Sequence, residues 1–449
     1  MTTASWRSFP GPAWSPARHA IGLLGAAIAA LLLNASGATT AMAQSQAGSA
    51  IAFTNGRWFN GAAFDLKPVV YSIDGRFSFI TPARVDETVD LSGAWVIPPF
   101  ADAHNHNISN GAGEDANRRA IAKFLADGVF YVKVPGNVPL SDEDRRRLGV
   151  NTADGLDVSF GHGSITGSRG HPIPLVSSLA AAGNFAGHTP DSLRDLRYFV
   201  VDSQAELNDK WPLILSHRPD FIKTILVFSE DHERYEKDPS AIPPLDGRTA
   251  RKGVNPRLLP AVVERAHASG LRVSAHVTTA TDFRNAVAAG VDEINHLPPR
   301  RTATVAEDTA LTAADARETA RRGIVVVTTL ALPANVPDTT RAVLRQRQQT
   351  NLRLMLDAGV RLAIGTDNPD DTSVEEALYV REIGVLDSLA VLKMWVEATP
   401  ATIFPTRRIG YLQEGFEASF LALSGNPVVD FQNVQRITLR VKQGRAVTP

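Results

Sequence analysis

Between Leu271 and Gly384 the chain repeats one unit: a short apolar run, a helix-patterned stretch, and a glycine that leads into the next apolar run. LRVSAHV is followed by TDFRNAVAAG, VDEINHL by AADARETARRG, IVVVTTL by TTRAVLRQRQQTNLRLMLDAG, and VRLAIGTDN by SVEEALYVREIG. Strand segments that are apolar on both faces belong to parallel sheets covered on both sides. Gly290, Gly323 and Gly359 stand where each helix must stop before the next strand. Parallel neighbours need a crossover, and here a helix fills each one. Carried over residues 99–404, this rhythm predicts an α/β fold, a (β/α)8 TIM-like barrel. An open doubly wound sheet is the competing architecture. It usually opens on a Gly-rich phosphate loop, whereas the first strand here ends in FADAHNHN.

The two ends of the chain read differently. IAFTNGRWFNGAAF carries turn signals at Asn55-Gly56 and Asn60-Gly61, and VVYSIDGRFSFI is two strand-like runs around Asp74-Gly75. The tail ASFLALSGNPVVDFQNVQRITLRVKQGRAV is again β-rich. Residues 44–98 and 405–449 are therefore expected to form one small β-sandwich domain built from both termini. Hydrophobic residues at 44% and charged residues at 21% allow a large core and exclude a wholly disordered chain. A formal charge of −1 supplies no basic footprint, so no nucleic-acid partner is expected. The absence of cysteine excludes disulfides, thiolate metal sites and cysteine nucleophiles together.

Residues 1–43 read as a signal peptide. Arg7 and Arg18 precede an apolar run, Ala20–Leu33, and small residues end in Ala41-Met42-Ala43 before Gln44. The run is too short to span about 30 Å of hydrocarbon, so no stable membrane anchor is expected after cleavage. Removing two arginines and no acid takes the formal charge to −3. The expectation is a protein exported across the inner membrane to the periplasm.

Polar residues cluster where a barrel keeps its chemistry, at the C-terminal ends of strands. WVIPPFADAHNHN finishes with His104 and His106, VSAHV with His276, EINH with His296 and AIGTDN with Asp367. If His104 and His106 lie on a strand, alternation turns both rings to one side. Lys223 sits inside the apolar run DFIKTILVF, where an unpaired ammonium is costly. Each has an ordinary reading: a core histidine, a snorkelling lysine, an aspartate capping the next helix. Their conjunction is what points to an N/O metal site, with zinc as the default ion. Twenty residues separate His276 from His296, one βα unit, which puts them on neighbouring strands. His162, His188, His217, His232 and His267 have no such spacing and are read as structural.

With these residues in place, the chain resembles the metal-dependent amidohydrolase superfamily, in its imidazolonepropionase-like and zinc prolidase-like branch. GAWVIPPFADAHNH is similar to the first-strand signature, GTDN to the last, GSITGSRGHP to the third-strand segment ending in His171, and GFEASFLALSGNP to the tail. The resemblance implies two divalent ions. His104, His106 and Asp367 would hold one, His276 and His296 the other. Lys223, carboxylated by CO2 to a carbamate, would bridge them, and Asp367 would also take the proton of a shared hydroxide. It places His171 and Tyr235 at the substrate. Three positions depart from the pattern: Ser109, Ser168-Arg169-Gly170 and Ser419. Arg169 could pair a substrate carboxylate or lie at the surface.

The implied activity is cleavage of an amide-type C–N bond in a dipeptide, peptide or cyclic amide. A lactone, carbamate or ester hydrolase using the same site is the alternative within enzymes, and an exported non-catalytic binding protein the alternative outside them. The expected partner is a small-molecule or short-peptide substrate, with a homo-oligomer left open.

Overall fold

In the computed structural model the described residues are 49–108, 113–243 and 250–448. The expected signal peptide, Ser109 and parts of the loops at 107–118 and 226–255 lie outside them. No helix among the described residues is long and apolar enough to cross a membrane.

The turn-punctuated ends meet in one sheet. Strands Ala50–Phe59, Phe64–Ile73, Arg76–Ser78, Glu87–Asp90 and Trp95–Ile97 join Phe420–Leu423, Ile437–Lys442 and Arg445–Ala446 in one eight-stranded sheet, in which Glu87–Asp90 branches off and pairs with Ala50–Phe59. The two ends of the chain join where Trp95–Ile97 pairs antiparallel with Phe420–Leu423. Aromatic residues fill this sheet's core. Phe53 meets Phe420 edge-on at 4.8 Å, and Trp58 meets Phe77 edge-on at 5.8 Å, the geometry aromatic quadrupoles favour.

The alternating middle forms the barrel. Its strands are β1 (Phe100–Asp102), β2 (Val129–Val134), β3 (Asp157–Phe160), β4 (Ile222–Ile225), β5 (Val273–His276), β6 (Glu293–Asn295), β7 (Val325–Val327) and β8 (Arg361–Ala363). β1–β2–β3 is one parallel run and β4–β5–β6–β7–β8 another, the second extended beyond β4 by Ser164–Thr166 and then Tyr198–Val200, both also parallel. The Asp220 N–H donates to Phe160 O at 2.8 Å and joins β3 to β4. The Ala103 N–H donates to Ile364 O at 2.8 Å and joins β8 to β1. The ring is closed. Helix Ala280–Ala289 begins with a Thr279/Asp282 capping box and ends at Gly290 in the left-handed region, so the chain reverses directly into β6.

One long helix fixes the top of the barrel. Along Asp338–Asp357 the buried positions include Gln348 and Asn351 as well as Leu344, Leu352 and Met355. Gln348 Nε2 donates to Pro299 O at 3.1 Å and to Leu330 O at 2.8 Å. Asn351 Nδ2 donates to Pro298 O at 2.6 Å and to Thr309 O at 2.7 Å. Loops that would otherwise carry orphaned carbonyls are thereby satisfied and held.

Asp102, at the end of β1, straps the barrel seam. It is fully buried, and its Oδ1 accepts from the backbone N–H of His104 and of Thr366, both at 3.1 Å. Burial pushes its carboxyl up to about 8, so the group is largely neutral at neutral pH. Asn at this position keeps an acceptor for both N–H groups. Asp102→Asn should therefore cost less than about 1 kcal/mol, whereas Asp102→Ala leaves two buried donors unpaired and should cost about 3 kcal/mol. Urea unfolding at matched metal content measures both; equal stability of the two variants would remove the strap.

Candidate metal centre

The six candidate ligands come from five strands of the barrel, His104 and His106 both following β1. β1 stops at Asp102, so His104 and His106 do not alternate along a strand as the sequence suggested. The irregular turn after Asp102 still brings the two rings together, with their Nε2 atoms 3.2 Å apart. Asp367 Oδ1 lies 3.4 Å from each of those nitrogens. This requires the chain after β8 to run against His104. A Cβ on Gly365 would sit 2.8 Å from His104 Cβ and 2.9 Å from its backbone nitrogen, so the glycine of IGTDN is what permits the approach. His104, His106 and Asp367 thus offer three ligand atoms within 4.8 Å of one another.

A second pair faces the first. His276 Nδ1 and His296 Nε2 are 2.9 Å apart, and the His104 and His296 ring centres are 4.6 Å apart. Lys223 projects from β4, is 2% exposed, and donates its Nζ hydrogen to Asn295 Oδ1. Asn295 is held in turn: its Nδ2 donates to Glu293 Oε1 at 2.8 Å, and Ser274 Oγ lies 2.8 Å from its Oδ1. Glu293 also pairs with a second buried lysine, Lys133, at 2.8 Å.

The electrostatics suit metal ligation. Burial first, and the charge of Lys223 second, hold His104 well below the usual imidazole range. Burial also holds His276 and His296 well down. Neutral imidazoles are the form that binds a metal. Lys223 is pushed down to about 7, chiefly by burial and against the pull of Glu293 and Asp367. His104 Nδ1 is buried without a hydrogen-bond partner.

His171 stacks on His276 with ring centres 5.2 Å apart. Tyr235 is buried on the helix His232–Lys237 and donates to Asp231 Oδ2 at 3.2 Å. Among the described residues no hydrogen bond or ring contact links it to the imidazoles. Arg169 is exposed. The histidines read as structural have other neighbours: His162 stacks on Phe160, His267 pairs with Asp292, His232 lies near Glu236, His217 packs on Phe199 and His188 meets Ser192.

Three groups escaped the sequence reading. Lys133 carries the signal used for Lys223, a lysine inside an apolar strand, VFYVKV. Glu293 and Asn295 alternate along β6 and both turn inward, which marks them in retrospect. Arg300 has no sequence signal. It follows β6 in the loop clamped by Gln348, its Nε is buried without a partner, and its charge acts on His171, His276 and His296.

Comparison with known proteins agrees with this geometry. The Amidohydrolase family model matches residues 247–447, the span that holds His276, His296 and Asp367. Imidazolonepropionase of Rhizobium meliloti (strain 1021) is 25% identical over 304 residues, covering 65% of this chain and 66% of that protein's length. The crystal structure of A. niger ochratoxinase superposes with a TM-score of 0.67 at 18% identity, covering 90% of this chain and 96% of the other. A prolidase complexed with N-methylphosphonate-L-proline gives 0.67 at 17% identity, covering 89% and 100%. These low-identity structural likenesses carry the barrel fold.

The depressed imidazoles predict that the metal-free chain is acid-labile. His106 is pushed down to about 4 and His171 to about 3, in both cases mainly by burial. In the unfolded chain histidine titrates near 6.5. Between pH 6.5 and 4 the unfolded chain therefore binds protons that the folded chain does not, so stability falls as pH falls. The urea midpoint of chelator-treated protein should drop across this window, and His171→Gln should flatten the drop. A midpoint independent of pH there would contradict the buried, neutral imidazoles.

Proposed function

We propose that the chain is a member of the amidohydrolase superfamily, a reading supported by the family match over residues 247–447 and the likeness to an imidazolonepropionase, and that it is a metal-dependent, exported hydrolase of amide-type bonds in dipeptides, short peptides or cyclic amides. The observation that carries the reading is the convergence of His104 Nε2, His106 Nε2 and Asp367 Oδ1 within 4.8 Å, faced by the His276–His296 pair. Neutral imidazoles and a carboxylate suit zinc, and this donor set suits two ions. His104, His106 and Asp367 would hold one ion, and His276 with His296 the other. Lys223 would serve both as a CO2-derived carbamate. An amine must be neutral to add to CO2, and a buried lysine pushed down to about 7 meets that condition.

Bound divalent ions supply Lewis acidity and lower the pKa of water from 15.7 toward about 7. The remaining work falls to the chain. Asp367 accepts the proton of the attacking water and returns it to the departing nitrogen. His171, neutral and stacked on His276, would meet the substrate carbonyl, and its contact with that ring supports the role. Arg300 belongs to no ion pair among the described residues, yet its charge reaches the imidazoles. A guanidinium in that position favours substrates bearing a carboxylate or another anionic group.

Export rests on the N-terminal pattern alone. Cleavage after Ala43 should leave Gln44 as the first residue of the periplasmic protein, and N-terminal sequencing that finds Met1 there would refute it.

Protein prepared with zinc and bicarbonate should hold close to two ions per chain, and Lys223→Ala should lose the pair by elemental analysis. On a substrate found with a dipeptide, cyclic-amide, lactone and ester panel, Asp367→Asn should lower kcat by about 10²–10⁴-fold. Retention of more than about a tenth of kcat would reject its proton-transfer role. Arg300→Gln should instead raise KM for anionic substrates at least about tenfold with little change in kcat. An equal rise for neutral analogues would reject the anion contact.

A further inference from the structure

The opposite end of the barrel holds a second polar cavity, of about 450 Å³. It is lined by the turns that lead into β5 to β8, so it lies at the strands' N-terminal ends, away from the imidazoles. Arg272 enters from just before β5, Arg361 from the first residue of β8, and Arg322 from the helix end before β7.

Charge is unevenly settled there. Arg322 Nε pairs with Glu318 Oε1 at 2.6 Å, and His267 Nε2 pairs with Asp292 Oδ2 at 2.9 Å. Asp292 Oδ2 is occupied further, accepting from Val273 N–H at 2.7 Å. Arg272 Nη1 donates to the Thr402 carbonyl at 3.0 Å, and Arg361 Nη2 to the Gly323 carbonyl at 2.9 Å. Neither forms an ion pair among the described residues. A guanidinium carries five N–H donors, so most of these donors have no acceptor among the described residues. The two cations also press on each other: burial and the charge of Arg272 both push Arg361 below the usual guanidinium range.

We propose that this floor cavity is a second ligand site, binding an oxyanion of at least two negative charges, a phosphate group, between Arg272 and Arg361. Arginine forks match the spacing of phosphate oxygens and bind them through paired charge-assisted hydrogen bonds. An anion here relieves the repulsion between the two guanidiniums and satisfies their spare donors. The volume lies in the range of small-molecule sites, about 300–1,000 Å³, and leaves room for an organic group on the phosphate. The proposal is independent of the hydrolase reading, because none of these residues belongs to the metal centre.

The test is isothermal titration of the metal-loaded full chain, in phosphate-free buffer of low ionic strength, with inorganic phosphate and separately with glycerol 3-phosphate. Wild type should show a site that Arg272→Gln/Arg361→Gln weakens at least about tenfold, while phosphate inhibition of hydrolysis, which reports the metal end, stays unchanged. Arg361→Gln alone, at the more exposed of the two positions, should already weaken it and covers the case in which the double variant fails to fold. Tighter binding of the monoester than of phosphate identifies an organic phosphate as the ligand, and the reverse identifies free phosphate. Both support the site. Identical isotherms for wild type and Arg361→Gln, or wild-type binding accounted for wholly by the inhibitory metal-end site, would overturn it.

Discussion

The site depends on the seam where the barrel closes. His104 and Asp367 are remote in sequence, and each alone is an ordinary polar residue at a strand end. Closure of β8 on β1 makes them neighbours: Ala103 N–H bonds to Ile364 O, Asp367 N–H bonds to His104 O at 2.8 Å, and Asp102 bridges both sides. Asp102 and Thr366, bonded through that bridge, are 264 residues apart. Such contacts order a long loop of chain and are stable only once the intervening strands are in place. The candidate metal centre therefore reports on the whole ring rather than on any one segment.

Inside that ring the polar interior is balanced rather than merely tolerated. A buried lysine is costly unless neutralised or paired. Lys133 is paired, with Glu293. Lys223 is not given a carboxylate of its own; it receives the amide oxygen of Asn295, itself tethered to Glu293. Burial lowers both lysines; at Lys133 the paired carboxylate of Glu293 works directly against it, while Lys223 is pushed down to about 7. Two residues of the same type on neighbouring parts of one sheet core thus come to differ in chemistry through a single carboxylate.

Much of this was legible in the sequence. The apolar strands, the glycine after each helix and the polar residue closing each strand are local signals, and they anticipated the barrel and drew attention to His104, His106, Lys223, His276, His296 and Asp367. The β-rich ends anticipated a terminal β domain, though not that its strands would belong to one hydrogen-bonded sheet rather than a sandwich of two. What escaped notice depends on distant partners. Asp102 reads as one more polar residue in FADAHNHN until Thr366 is placed beside it. Arg300 reads as half of a surface Arg-Arg pair until its loop is folded over the barrel mouth. Arg169 shows the converse: a plausible anion contact by sequence, it is exposed in the fold.

The mouth is built to hold its residues in conformations they do not prefer. His296 has φ 78°, Thr329 φ 58° and Asp367 φ 50°, left-handed values that are uncommon outside glycine. Strain of this kind costs about 1–3 kcal/mol per residue and persists only where neighbours enforce it. The neighbours are visible. Thr329 Oγ1 lies 2.7 Å from His296 Nδ1, which holds the ring with Nε2 toward His276. The next two residues are fixed by Glu376, whose carboxylate accepts from Leu330 and Ala331 N–H at 2.8 Å. Gln348 secures Leu330 O and the carbonyl of Pro299 from the other side. Buried amides and carboxyls keep these left-handed kinks from relaxing. Stability contributed by the helix Asp338–Asp357 and by Glu376 is in this way converted into the orientation of two imidazoles, which is what a preformed ligand set requires.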